Sequence, residues 1–144
     1  MTLDFHRLRA GELLALPGGL LLAVSMFLPW YRFASGNLDA FSAFTVVDFL
    51  IAPAAVAAPA LTWVTLTRTS PALPVAMAVW TGLLGLIASL AIALRLVFAP
   101  AGSSGTCAGV WLGLAGALLV ALAGWLAIND ERPARGVPVK LPAP

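Results

Sequence analysis

Polar residues are spaced along the chain so as to leave four long apolar runs, at residues 13–31, 45–67, 72–98 and 109–128. A helix crosses a bilayer with about 20 mostly apolar residues, so each run is long enough to span. None shows the period-two alternation of a membrane barrel strand, and in lipid the backbone must then satisfy itself as helix. The pattern predicts an all-α integral membrane protein, a four-helix bundle occupying residues 1–128 as a single domain.

The connections differ in character. "RTSPALP" is a tight turn, with Ser70 placed to cap the third helix and Pro71 in its first turn, where a missing N–H costs nothing. "RFASGNLDAFSAF" admits two readings. With Asn37 as N-cap, Leu38, Phe41 and Phe44 recur as on the apolar face of a short interfacial helix over residues 37–44; alternatively, the segment extends the second span outward. "APAGSSGTCA" reads as a small, mobile polar loop. Residues 129–144, proline-rich and polar, read as a disordered tail. The N-terminal run ends in Trp30, Tyr31, Arg32 and Phe33 instead of an A-x-A-like cleavage site, so a retained span is expected in place of a signal peptide.

Composition agrees: charged residues are 10% of the chain, against about 25% in soluble domains. The eight basic residues are scattered, which disfavours nucleic acid as a partner. Their distribution sets an orientation. With both termini cytoplasmic, Arg7, Arg9, Arg68, Arg132, Arg135 and Lys140 lie inside and only Arg32 and Arg95 lie towards the outside. Trp30 and Trp111 then fall at the outer ends of spans and Trp63 and Trp125 towards the inner ends, as two aromatic belts.

Helices in lipid associate through small residues. In the fourth run Gly109, Gly113, Gly116, Ala117 and Gly124 fall within about 60° of one direction at 100° per residue. The third offers Gly82, Gly85, Ser89 and Ala93, and the first Ala15, Gly19 and Ala23. Such stripes serve internal packing or a homodimer face.

Two ionisable residues fall inside the runs, Asp48 and Arg95, both near outer ends. Folding the hairpin about Thr69 and Ser70 leaves Arg95 about 6 Å nearer the outer surface than Asp48. Each side chain leans towards its own helix N-terminus, so the two heads converge and an ion pair is expected. It serves either to neutralise two costly charges or as a polar site for an ion, proton or headgroup. Pro53 and Pro59 are expected to kink the second helix, and they free the carbonyls of Phe49 and Ala55.

No standard catalytic constellation is present in the sequence. His6 lies in the cytoplasmic segment and Cys107 outside, so they do not meet; no phosphate loop, H-E-x-x-H or metal-ligand spacing occurs, and no cofactor is expected. "FLPWY" closing the first run, Asp48 opening the second, "RTSPALP" and "GLAGALLVALAGWLAINDER" together resemble the small four-span membrane proteins of high-GC actinobacteria. The resemblance implies a bacterial plasma-membrane location and carries no activity. The leading expectation is a non-enzymatic accessory subunit or self-associating scaffold, with the bilayer, a membrane protein or another copy as partner. A small transporter or channel-like oligomer with its site at Asp48 and Arg95 is the alternative, and a lipid-acting enzyme the third.

Overall fold

The structure, a computed structural model, describes residues 10–39, 45–67 and 72–130. Four helices carry most of the chain: α1 (Ala10–Phe27), α2 (Thr45–Thr67), α3 (Ala72–Val97) and α4 (Ala108–Asp130). All four are long and apolar enough to cross a membrane. Each helix packs on its two neighbours in the chain, α4 closing the ring against α1, and the α1–α4 and α3–α4 contacts are the most extensive. The outward faces are apolar too, with Leu20, Val56, Leu90 and Leu118 more than half exposed. A bundle apolar inside and out has lipid as its natural solvent.

Glycine explains which contacts are tightest. On α4, Gly116 lies so close to α1 that a Cβ there would meet the Leu22 backbone nitrogen at 2.7 Å. Gly11 of α1 is equally crowded by Ala127 and Ala123 of α4. Without a hydrophobic driving force between helices in lipid, such close backbone approach supplies the dispersion contacts that hold them. Alanine dominates the core at the end of the bundle holding the start of α1, where Ala15, Ala58, Ala78, Ala123 and Ala127 pack around Leu61 and Val120.

The other end is not helical, which corrects the all-α expectation. A three-stranded sheet in the order β2-β1-β3 closes it, built from β1 (Pro29–Phe33), β2 (Gly36–Asp39) and β3 (Gly105–Thr106). The first helix therefore ends at Phe27 and not at Tyr31. Proline cannot donate to the helix and disfavours α geometry in the residue before it, so Pro29 sets the stop; Leu28 closes the last turn onto the Ser25 carbonyl at 3.3 Å. The helix in turn begins earlier than the apolar run, at Ala10, which takes Glu12 inside the bundle as a buried residue.

Beyond Pro29, β1 pairs antiparallel with β2 through a two-residue turn, and Gly36 after that turn takes φ 131°, a region side chains rarely enter. Residues 36–39 are thus a strand, not the start of an interfacial helix capped by Asn37. Residues 40–44, with Phe41 and Phe44, lie outside the described residues, as do Ser70 and Pro71 of the predicted turn and residues 131–144 of the predicted tail. The third connection was expected to be a mobile loop, but it is tied into the sheet. β3 pairs with Tyr31 and Arg32 of β1, Ser104 donates its N–H to the Arg32 carbonyl at 2.8 Å and Cys107 donates to the Trp30 carbonyl at 2.8 Å.

Candidate functional site

The cap-to-bundle junction gathers the most specific polar geometry in the described chain. It begins with a register shift in β1, where Pro29 opposes Asp39 but Tyr31 opposes Leu38, leaving Trp30 as an extra residue. In a regular strand consecutive side chains point to opposite faces. The bulge re-aims one of them, so that Trp30 and Tyr31 are both fully buried.

Trp30 fills a slot that α4 leaves open. A Cβ on Gly109 would sit 2.6 Å from Trp30 Cδ1, and one on Gly113 would sit 3.2 Å from Trp30 Cζ2 and 3.0 Å from Ser25 Oγ. The indole N–H donates to the Ser25 carbonyl at 2.7 Å, and Ser25 Oγ donates back to the Leu22 carbonyl at 2.7 Å. An aromatic with a polar handle is buried only where that handle finds a partner, and the final turn of α1 provides it. Trp30 is therefore not part of an outer aromatic belt. Trp111, Trp63 and Trp125 are each more than half exposed, as belt residues are.

Tyr31 reaches the opposite corner. Its hydroxyl donates to the Arg95 carbonyl in the last turn of α3 at 2.7 Å, linking the cap to a helix far away in sequence. Burial pushes the Tyr31 phenol above its ordinary value of 10.0, while the positive charge of Arg95 pulls it down. Arg95 itself is half-buried. Asp48 lies in the first turn of α2 by its backbone, at the same end of the antiparallel α2–α3 hairpin, but its side chain, and hence the expected pairing with Arg95, lies outside the described residues.

The other predicted residues divide by neighbour. Gly109 and Gly113 face the cap and the end of α1, Gly116 faces α1, and Gly124 turns to α3, where a Cβ would run into the Gly82 backbone nitrogen. Ala117 is fully buried in the core at the cap end. One helix of small residues thus serves two partners, through a face that rotates along its length.

α2 runs unbroken through Pro53 and Pro59. Pro59 has no N–H for the Ala55 carbonyl, and that oxygen lies against Gly19 of α1: a Cβ on Gly19 would sit 3.1 Å from it and 2.9 Å from both Pro59 Cδ and Ala58 Cβ. Two hydroxyls fasten α2 further. Thr62 donates to the Glu12 carbonyl at 3.1 Å and Thr81 of α3 donates to the Ala57 carbonyl at 3.4 Å. In the sequence Thr62 and Thr81 close the columns that run at four-three spacing from Asp48 and from Arg95, which places each on its helix's facing side but does not give the carbonyl it bonds.

Among the described residues, no group of three or more His, Cys, Asp and Glu is placed to hold a metal. Cys107 is a half-exposed free thiol beside β3. No protein-family model, curated protein or solved structure matches the chain.

Proposed function

We propose that the protein is a non-enzymatic multi-pass membrane component, an accessory subunit or self-associating scaffold. One observation carries the reading. The buried donors of Ser25, Trp30, Thr62 and Thr81, and that of Tyr31, are all directed at backbone carbonyls of the bundle itself. Polar side chains that converged on a ligand would leave donors facing a shared space; here Thr62 and Thr81 fasten helix to helix, Trp30 and Tyr31 fasten cap to helix, and Ser25 bonds back within α1. A bacterial plasma-membrane location with both termini cytoplasmic is part of the proposal. In that orientation the sheet is the surface offered to the exterior.

The test is affinity purification from native membranes in mild detergent, with mass spectrometry of what comes with the chain. A reproducible stoichiometric partner or a defined homo-oligomer is expected. A monomer with no partner would overturn the reading. The orientation is checked by labelling Cys107 with a membrane-impermeant maleimide on intact cells, which should succeed without lysis.

A second reading, a small transporter or channel-like oligomer, rests on Asp48 and Arg95 sharing the cap end of the α2–α3 hairpin. It requires Asp48→Ala to abolish flux while leaving the protein folded. The freed Ala55 carbonyl weighs against it, because α1 and not an open path covers that oxygen.

A further inference from the structure

Pro17 stands inside α1, and Pro53 and Pro59 stand inside α2, yet neither helix breaks at them. Each withholds an N–H from the carbonyl one turn earlier, which leaves Leu13, Phe49 and Ala55 without their usual helical donor. The three oxygens are covered differently. Ala55 lies about 15 Å into its apolar run, near the middle of a bilayer, and α1 closes over it at Gly19. Pro17 and Pro53 instead face outward, beside Leu13 at 58% and Phe49 at 76% exposure. Their acceptors are shallow: Leu13 opens the first apolar run, and Phe49 is about 6 Å into the second.

Elsewhere the chain satisfies carbonyls with its own hydroxyls. Ser25, Thr65, Thr67 and Ser89 each donate back to a carbonyl about one turn earlier. The positions that could do so for Phe49 are Ala52 and Pro53, and those for Leu13 are Leu16 and Pro17. None carries a donor.

We propose that the Phe49 and Leu13 carbonyls each accept a hydrogen bond from the headgroup of a bilayer phospholipid, one in each leaflet. A backbone acceptor in lipid requires a donor, and the shallow depth of these two selects a donor that resides at headgroup level. An amphiphile fits the surroundings. The Phe49 oxygen stands among the exposed side chains of Phe49, Leu50 and Val56, so a donor that brings its own hydrocarbon lies along them where water is excluded. A partner helix fits poorly, since helices in lipid dock where small residues let backbones approach. Every Gly and Ser of α1 is buried and α2 has none. The inference rests on the chain spanning a membrane and not on the accessory role proposed above.

Thermal unfolding in vesicles of graded headgroup decides it. The full-length wild type, Pro17→Ala, Pro53→Ala, their double variant and Pro59→Ala are reconstituted into dioleoylphosphatidylcholine, alone or mixed with dioleoylphosphatidylethanolamine or its N,N-dimethyl derivative. The series removes headgroup N–H donors stepwise at constant net charge. The wild-type midpoint should fall as donors are removed, by roughly 4 °C per carbonyl for a hydrogen bond of ordinary strength. Pro17→Ala and Pro53→Ala return a helical N–H, so each should lose about half of that dependence and the double variant nearly all of it. Pro59→Ala, whose carbonyl the protein itself covers, should keep the wild-type dependence. A wild type indifferent to headgroup would overturn the proposal, water then being the donor, and so would equal dependence in the wild type and the double variant. A change in oligomeric state on Pro17→Ala or Pro53→Ala would also overturn it, since a partner helix would then be the donor. Recovery of the wild type in the membrane fraction tests the spans separately.

Discussion

Gly82 and Gly124 meet backbone to backbone where α3 packs on α4, and the contact is one-sided. A Cβ on Gly124 would run into the Gly82 nitrogen and lie 2.8 Å from the Ala78 carbonyl, whereas a Cβ on Gly82 would lie no closer than 3.5 Å to Gly124. Gly124→Ala should therefore force the helices apart at an overpacking cost of about 1–3 kcal/mol. Gly82→Ala meets only ordinary contact and removes a flexible residue from a helix interior, so it should stabilise by roughly 0.5–1 kcal/mol. Thermal unfolding of both variants in the same detergent checks the opposite signs.

Tyr31 is the only tyrosine, so one alkaline transition is its own. Its folded pKa is raised above the unfolded value, which means the neutral phenol donating to Arg95 O is the form that the fold favours. The stabilisation is complete below about pH 10 and is lost as pH rises through the folded value. Unfolding temperature should fall more steeply above pH 10 in the wild type than in Tyr31→Phe. At neutral pH Tyr31→Phe should cost about 1 kcal/mol for the lost hydrogen bond.

Asp48 and Arg95 are proposed partners at the cap end. Asp48→Asn should destabilise the protein by about 1.5–3 kcal/mol, the range for a hydrogen bond to a charged group. Exchanging the charges in Asp48→Arg/Arg95→Asp should recover part of that. The measurement is thermal stability in detergent for the single and double variants, and an unchanged Asp48→Asn protein sinks the pairing.

How much of this was legible in the sequence follows from which forces act locally. The helices were readable because run length and hydropathy alone decide them in lipid. The end of α1 was misplaced because Trp30 and Tyr31 prolong the apolar run past Pro29, although "PWYRFASGNLD" carries a proline stop, an aromatic strand and an S-G turn. That hairpin signal was outweighed by the apolar count. Trp30 and Trp111 look alike as tryptophans at one end of a span, yet one is fully buried and the other 57% exposed. The difference is made by Gly109 and Gly113, far along the chain, which open the slot for the first. The α4 stripe was legible as a stripe; its division between α1 and α3 depends on how three helices meet.

Gly19 and Pro59 offer a test of what the freed carbonyl on α2 is for. A proline inside a helix removes one hydrogen bond, and a membrane interior requires that the acceptor be covered by something. The backbone of Gly19 lies over the Ala55 oxygen, so the glycine and the proline act as a pair: one exposes an acceptor and the other lets a neighbouring helix cover it. Gly19→Ala should cost about 1–3 kcal/mol, because its Cβ meets Ala58 Cβ, Pro59 Cδ and the carbonyl together. Pro59→Ala returns an N–H to the carbonyl and removes one of the three clashing atoms, so in its background Gly19→Ala should cost less. A double-mutant cycle on thermal stability should therefore show a coupling of about 0.5–1 kcal/mol. Strict additivity would mean that α1 does not cover the carbonyl, and would return that oxygen to the transporter reading as an available ligand.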